Sequence, residues 1–263
     1  MLQQSADFGA LLFIGSISDG VCGMKKFALV TGASGGIGQA ISLKLAEEGY
    51  SLYLHYNQNR QAVDKLLESL VEFGGEYMPI QANLAEKEGY KKVAEHIFSL
   101  DAIVHNSGSP QYGLLTELTE NETETLMNLH VTAPLLLTKE LLPKLLSKGC
   151  GNIVVISSIW GQTGAACEVA YSTAKGAQIA FVKALGKEVA LNGIRVNAVA
   201  PGAVQTAMLN DFTEEELEAV KCEIPMGRLA LPDDIANSVS FLLSDKAAYI
   251  TGQVLAVNGG WYT

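Results

Sequence analysis

Cysteine is scarce in this chain of 263 residues, with four at positions 22, 150, 167 and 222. No two are spaced as C-x-x-C, and none alternates with the four histidines at ligand spacing. This argues against a disulfide framework or a metal site, so the thiols read as small apolar residues of a reducing, cytoplasmic compartment. Positive charge is also short: 18 Lys and Arg stand against 28 Asp and Glu, a net charge of -10. Nucleic acids and anionic membrane surfaces need a basic footprint, so neither is expected as a partner. No apolar run approaches the roughly 20 residues of a membrane span, and no internal repeat divides the sequence.

Residues 1–23 carry a short apolar patch at 10–14 with no basic flank before it. They read as a disordered extension, or as sequence upstream of a natural start at Met24. What remains, 24–263, is long and apolar enough for one large α/β core, the whole chain being 48% hydrophobic.

The stretch 26–38, KFALVTGASGGIG, organises the rest. A short apolar strand runs into a glycine-rich turn and then an apolar-periodic helix, the arrangement that brings a dinucleotide pyrophosphate to a helix N-terminus. Gly32, Gly36 and Gly38 allow the tight turn and the close backbone approach. A second strand is expected at 50–56. Its exit, His55-Tyr56-Asn57-Gln58-Asn59-Arg60, has no carboxylate until Asp64. An acid there would bind both ribose hydroxyls and repel a 2′-phosphate, so its absence, with Asn57 and Arg60 present, favours NADPH over NADH. Arg60 also reads as a solvated helix residue, and His55 as a structural histidine.

A helix is expected over 61–73 and a strand over 77–81, which leads to Asn83, whose side chain can meet an adenine edge. A helix over 87–97 and a strand over 100–105 follow, ending in Asn106-Ser107-Gly108. The pattern over 119–146 is the longest helical one, with Pro134 and Pro143 expected to kink or divide it. Its leucine face suits either its own sheet or an oligomer contact. Strands are expected at 153–158, 195–199 and 253–257, and helices up to 191 and over 233–243. The acidic segment 203–225 reads as a lid over the crevice or as a fixed surface helix.

Ser158, Tyr171 and Lys175 carry the chemistry. Tyr171 and Lys175 are four apart and share a helix face. A phenol with an ordinary pKa near 10 is a poor acid at neutral pH, and a neighbouring ammonium is expected to lower it. Ser158 gives a second donor to the oxygen on which charge develops. The lysine also has the reach to touch ribose hydroxyls.

The segments TGASGGIG (31–38), NSG (106–108), ISS (156–158), YSTAK (171–175), RVNAVAPG (195–202) and the tail from 233 to 260 resemble the short-chain dehydrogenase/reductase family. Within it they are most similar to the 3-oxoacyl-acyl-carrier-protein reductases. The resemblance implies a single Rossmann-like, doubly wound domain with a seven-stranded parallel sheet flanked by helices. It further implies NADP(H), reduction of a ketone to a secondary alcohol, and usually a homotetramer. It makes Tyr171 the proton donor, Lys175 the pKa and ribose partner, and Ser158 the carbonyl holder. Cofactor contacts are implied at Gly32, Ser34, Gly36, Ile37 and Gly38, and at Asn83 and Leu84. Others fall at Asn106, Ser107, Gly108, Tyr171 and Lys175, with Pro201, Gly202, Val204 and Thr206 around the nicotinamide.

This chain departs from the family pattern at His130, where the family has an asparagine that organises a water relay to the lysine. An imidazole can replace that relay or titrate within it. Gly36 stands where an arginine is often found, and Asn192 where reductases acting on acyl carrier protein often present an arginine. Histidine at the relay position is reminiscent of reductases that act on a 5-aminopentanone group attached to a lysine of elongation factor P. The substrate is therefore expected on acyl carrier protein or on elongation factor P. A nucleotide-sensing scaffold without catalysis is the third alternative.

Overall fold

The computed structural model describes residues 25–209 and 212–263. The extension expected at 1–23, the start at Met24 and the acidic residue Asp211 lie outside the described residues. Seven parallel strands form one sheet in the order β3-β2-β1-β4-β5-β6-β7. They are β1 Lys26–Val30, β2 Tyr50–Tyr56, β3 Tyr77–Gln81, β4 Ala102–His105, β5 Gly151–Ile156, β6 Ile194–Pro201 and β7 Val254–Val257. The connecting helices are α1 Gly36–Glu47, α2 Arg60–Leu70, α3 Gly89–Ala94, α4 Glu120–Met127, α5 Ala133–Lys148, α6 Trp160–Thr163, α7 Val169–Glu188, α8 Glu214–Glu223 and α9 Pro232–Leu243.

Alternation along the central strands makes two cores. Ala28, Val30, Leu52, Leu54, Val104, Val154 and Ile156 face one side, where α1, α2 and α9 supply Ile41, Leu45, Leu66, Ile235 and Val239. Leu29, Tyr53, Ile103, Ile153 and Val155 face the other, against Val93 of α3, Leu137, Leu141 and Leu145 of α5, and Val182 of α7. The leucine stripe of α5 thus packs on its own sheet, leaving Leu135 and Leu146 exposed.

The long helical pattern is divided, as its prolines require. Between α4 and α5 lies a π-helical turn, Asn128–Thr132, and Pro134 sits in the first turn of α5 while Pro143 is accommodated inside it. The helix expected over 87–97 is shorter than its periodicity implies: α3 covers only Gly89–Ala94, and Ile97 and Leu100 reach the core from the turn that follows. Because all strands are parallel, the chain leaves β1, β4, β5 and β6 at one sheet edge. The order reverses between β1 and β4, which is where an open α/β sheet forms its crevice.

Candidate active site

The crevice begins at the glycine-rich turn. Gly32 has φ +67°, a conformation in which an L side chain is strained. A Cβ on Gly38 would collide with the Gly32 carbonyl and lie 2.8 Å from the Asn106 amide nitrogen. No side chain caps the N-terminus of α1, so its first amides remain for an anion. The turn is clamped to β4. Thr31 Oγ1 accepts from the amides of Asn106 and Ser107 at 2.9 and 3.0 Å, and Asn106 Nδ2 donates to the carbonyls of Thr31 and Gly32 at 3.0 and 3.1 Å. Asn106 therefore spends its amide on the scaffold. His55 is structural too: its Nδ1 accepts from the Gly32 amide at 3.1 Å and Nε2 donates to the Ala82 carbonyl at 3.0 Å. Burial lowers its pKa to about 4.

At the exit of β2, residues 57–60 are all exposed. Arg60 pairs with Asp64 at 2.7 Å and lies 5.9 Å over the Tyr56 ring, so the first carboxylate after the strand is already neutralised. Asn83, expected against adenine, has both ends engaged locally: Oδ1 accepts from the Ala85 amide at 3.0 Å and Nδ2 donates to Glu86 at 3.3 Å. Its neighbour Leu84 is buried in the core.

Ser158, Tyr171 and Lys175 converge at the same sheet edge. Ser158 follows β5, buried, with Oγ accepting from the Trp160 amide at 3.2 Å. Tyr171 and Lys175 rise on α7, with Lys175 Nζ 5.5 Å over the Tyr171 ring. Gly161 brings α6 against α7, since a Cβ there would meet the Lys175 backbone at 2.7 Å. Ser157 completes the anchoring by donating to the Lys175 carbonyl at 3.0 Å.

The tyrosine pKa corrects the expectation from spacing. Burial, reinforced by the charge of Glu168, raises Tyr171 above its ordinary value, and the Ser158 hydroxyl only partly opposes this. Burial brings Lys175 itself down to about 7, so the amine is largely uncharged where the phenol titrates. That amine donates to the Ile156 carbonyl at 2.9 Å.

His130 sits on the π turn, fully buried, its ring edge-to-face with Tyr171 at 5.5 Å and 81°. Gly108 makes room for it: a Cβ there would lie 2.7 Å from His130 Cε1. Nε2 is within 3.2 Å of the Ser109 amide and 3.1 Å of its carbonyl. Among the described residues Nδ1 has no partner, and neither has Oε1 of the buried Gln178. Burial, and then the charge of Lys175, hold the imidazole neutral with a pKa of about 3.

A glycine turn clamped to β4 and a Ser-Tyr-Lys cluster at the ends of β5 and α7 are thus parts of one crevice. The family model described as enoyl-(acyl carrier protein) reductase matches residues 32–262. The chain belongs to the short-chain dehydrogenase/reductase family. It is 54% identical over 241 residues to the uncharacterized oxidoreductase YmfI of Bacillus subtilis, covering 91% of this chain and 100% of that one. It is 37% identical over 243 residues to the 3-oxoacyl-acyl-carrier-protein reductase FabG of Staphylococcus aureus, covering 91% and 99%. Among solved structures, a putative NAD(P)-dependent gluconate 5-dehydrogenase of Beutenbergia cavernae with bound NADP superposes with a TM-score of 0.85 at 33% identity, covering 90% of this chain and 96% of that one. The angucycline C-6 ketoreductase LanV with bound NADP gives 0.83 at 29% identity, covering 90% and 95%.

As a short-chain dehydrogenase/reductase the chain is an oxidoreductase, and the loop after β6 is held from both sides. Gly202 donates its amide to the Val257 carbonyl at 3.0 Å, and the Pro201 carbonyl accepts from the Ile159 amide at 3.0 Å. Val204 bridges to Ala230, and Thr206 packs so near Gly36 that a Cβ there would lie 3.1 Å from the Thr206 methyl. Beyond it, α8 starts with a Thr213–Glu216 capping box and buries none of its residues. No helix among the described residues is long and apolar enough to cross a membrane, and none of their His, Cys, Asp and Glu side chains form a metal cluster. Thr31 and Gly161 escaped the sequence reading: Thr31 acts through Asn106 and Ser107 and Gly161 through the backbone of Lys175, relations that no local spacing records.

Proposed function

We propose that this protein is an NADPH-dependent carbonyl reductase of the 3-oxoacyl-acyl-carrier-protein reductase type, reducing a ketone to a secondary alcohol. The convergence of Ser158, Tyr171 and Lys175 beside the glycine-rich turn carries the reading. The cofactor fits on structural grounds, since Gly32, Gly36 and Gly38 form a cradle that a Cβ would fill and α1 begins uncapped. Ser34, Ile37 and the turn amides would hold the pyrophosphate, Asn57 and Arg60 the 2′-phosphate, and Asn83 and Leu84, whose side chains are engaged locally and in the core, would line the adenine side with their main chain. Ser107, Gly108, Pro201, Gly202, Val204 and Thr206 would line the nicotinamide side. When bound, NADPH supplies the hydride to the carbonyl carbon.

Ser158 then holds the carbonyl oxygen and Tyr171 gives it a proton. The phenol is protonated at neutral pH and so carries the proton to be given, while the raised pKa that burial imposes opposes the transfer. Lys175 lies at the ring face to return the proton, and His130 positions the pair. The segment 203–225, whose helix α8 buries none of its residues, acts as a lid. Exposed Leu135 and Leu146 on α5 support self-association, and a homotetramer is the proposed assembly.

His130 beside Tyr171, with Asn192 in place of a basic group, supports a second reading, reduction of a 5-aminopentanone on a lysine of elongation factor P. Turnover of an acetoacetyl thioester is to be compared with turnover of aminopentanonylated elongation factor P. A negligible rate on the thioester removes the first reading, a negligible rate on the modified protein removes the second, and failure on both returns the fold to a nucleotide-binding scaffold.

A further inference from the structure

The chain has two tryptophans, and they meet: the rings of Trp160 and Trp261 lie edge-to-face at 5.3 Å and 64°. Trp160 belongs to the site already described. Its amide donates to Ser158 Oγ at 3.2 Å, while its indole and the Tyr112 hydroxyl are the polar neighbours of the buried Glu168, three residues before Tyr171. The ring thus extends from Ser158 toward the start of α7. Both indoles are only half-buried, so the pair keeps apolar surface that is not committed to either core.

The backbone under Trp261 is pinned. Asn258, buried after β7, accepts from the Gly260 amide through Oδ1 at 2.9 Å and donates to the Tyr262 carbonyl through Nδ2 at 2.8 Å. These two bonds bracket Trp261, whose own amide donates to the Asn258 carbonyl at 3.1 Å. The turn is wedged between two further parts of the site. On one side a Cβ at Gly202, in the loop after β6, would lie 3.1 Å from Asn258. On the other, the Gly259 carbonyl accepts from the Met226 amide at 3.1 Å, and a Cβ at Gly259 would lie 2.7 Å from the Ile224 side chain, just past α8.

We propose that Trp261 is a specificity-determining residue: with Trp160 it forms an aromatic wall beside Ser158 that limits the group beyond the substrate carbonyl to a short chain. The inference rests on the carbonyl-reductase reading above. A short group gains contact with the rings, whereas a longer one has to push Trp261 against a turn that cannot yield without breaking its hydrogen bonds. One methylene against a hydrophobic pocket wall changes kcat/KM by about 10- to 200-fold.

The test uses N-acetylcysteamine thioesters of acetoacetate, 3-oxohexanoate and 3-oxooctanoate, in which only the alkyl group beyond the ketone grows. Each is assayed by NADPH oxidation with the wild type, Trp261→Phe and Trp261→Ala. In the wild type kcat/KM should fall by about tenfold or more from the shortest to the longest. Trp261→Ala should move that ratio toward the longest by about tenfold, and Trp261→Phe should move it less. Equal turnover along the series by the wild type overturns the proposal without touching the reductase reading and needs no variant to fold. A ratio unchanged in Trp261→Ala also overturns it, as does an equal loss on all three, which is what a merely structural role would give. Because the pair holds both tryptophans of the chain, indole emission reports on this wall alone. With NADP+ bound, the acetoacetyl thioester should alter the emission of the wild type, of Trp160→Phe and of Trp261→Phe; unaltered wild-type emission at a concentration that saturates turnover overturns the placement. If the wild type reduces none of the three thioesters, the 3-oxoacyl reading fails first and takes this inference with it.

Discussion

The backbone carbonyl of His130 accepts a hydrogen bond from the Gln178 side-chain amide at 2.8 Å. In a regular helix that carbonyl would take the amide of the residue four places on, but Pro134 has none to give. Gln178 on α7 supplies the donor, which fixes the π turn against α7 and sets the His130 ring beside Tyr171. A kinked helix thus becomes a means of placing a side chain.

Removing the donor should therefore cost stability. Gln178→Leu leaves a buried carbonyl unsatisfied, a loss of about 1–3 kcal/mol, visible as a lower Tm. Pro134→Ala restores an amide in α5 and should recover much of that loss in the double variant, while shifting His130 and lowering turnover. If the double variant melts no higher than Gln178→Leu, the His130 carbonyl is not what Gln178 serves.

Lys175 poses the opposite case, a group that costs stability for the sake of the site. Its pKa falls from 10.5 to about 7 through burial. Between those values the unfolded chain binds a proton that the folded one does not, so stability rises with pH across that window, and below about pH 7 the full penalty is present. Lys175→Met should raise Tm at pH 7 by a few degrees or more and flatten its rise between pH 7 and 9. Ketone reduction should fall by about a hundredfold or more. A variant that melts no higher than the wild type would show that the buried amine carries no such cost.

Three buried histidines make the fold acid-labile. Burial lowers His55 to about 4, and His105 and His130 to about 3. His105 Nε2 is bonded to Thr138 Oγ1 at 2.8 Å, so its neutral form is built into the packing. Below the unfolded value near 6.5 the unfolded chain takes up protons that the folded chain refuses, and stability falls with pH down to the folded values. Each group contributes up to about 1.4 kcal/mol per pH unit in that window. Urea midpoints at pH 7 and pH 5 should differ strongly, and His105→Gln should reduce the difference by about a third. Equal midpoints for the wild type would mean that these rings charge freely in the folded state.

The legible parts of this molecule were those encoded locally. The strand–glycine–helix unit at 26–38 and the strands Tyr50–Tyr56 and Tyr77–Gln81 follow from alternation, glycines and turn residues a few positions apart. Pro134 announced the break in the long helix, but only the fold shows that the break is a π turn completed by Gln178. Spacing placed Tyr171 and Lys175 on one face, yet not their protonation, because desolvation depends on what the whole crevice excludes. Glu168 left no local signal at all: a single glutamate before a helix is ordinary until Tyr112 and Trp160 are seen beside it.

Cofactor choice turns on the exposed exit of β2, where the carboxylate that would favour NADH is absent and the first one available, Asp64, is held by Arg60 at 2.7 Å. Asn57→Asp should place an acid near the ribose, accepting its hydroxyls and repelling a 2′-phosphate, and should move the ratio of kcat/KM for NADPH over NADH toward NADH by about tenfold or more. Asp64→Asn should act in the other direction, freeing the Arg60 guanidinium from its partner and lowering the KM for NADPH while leaving that for NADH in place. Both shifts should shrink as salt rises, because the groups are exposed and screened. If Asn57→Asp leaves the ratio unchanged, the ribose does not lie at the end of β2, and the assignment of Asn57 and Arg60 to the 2′-phosphate goes with it.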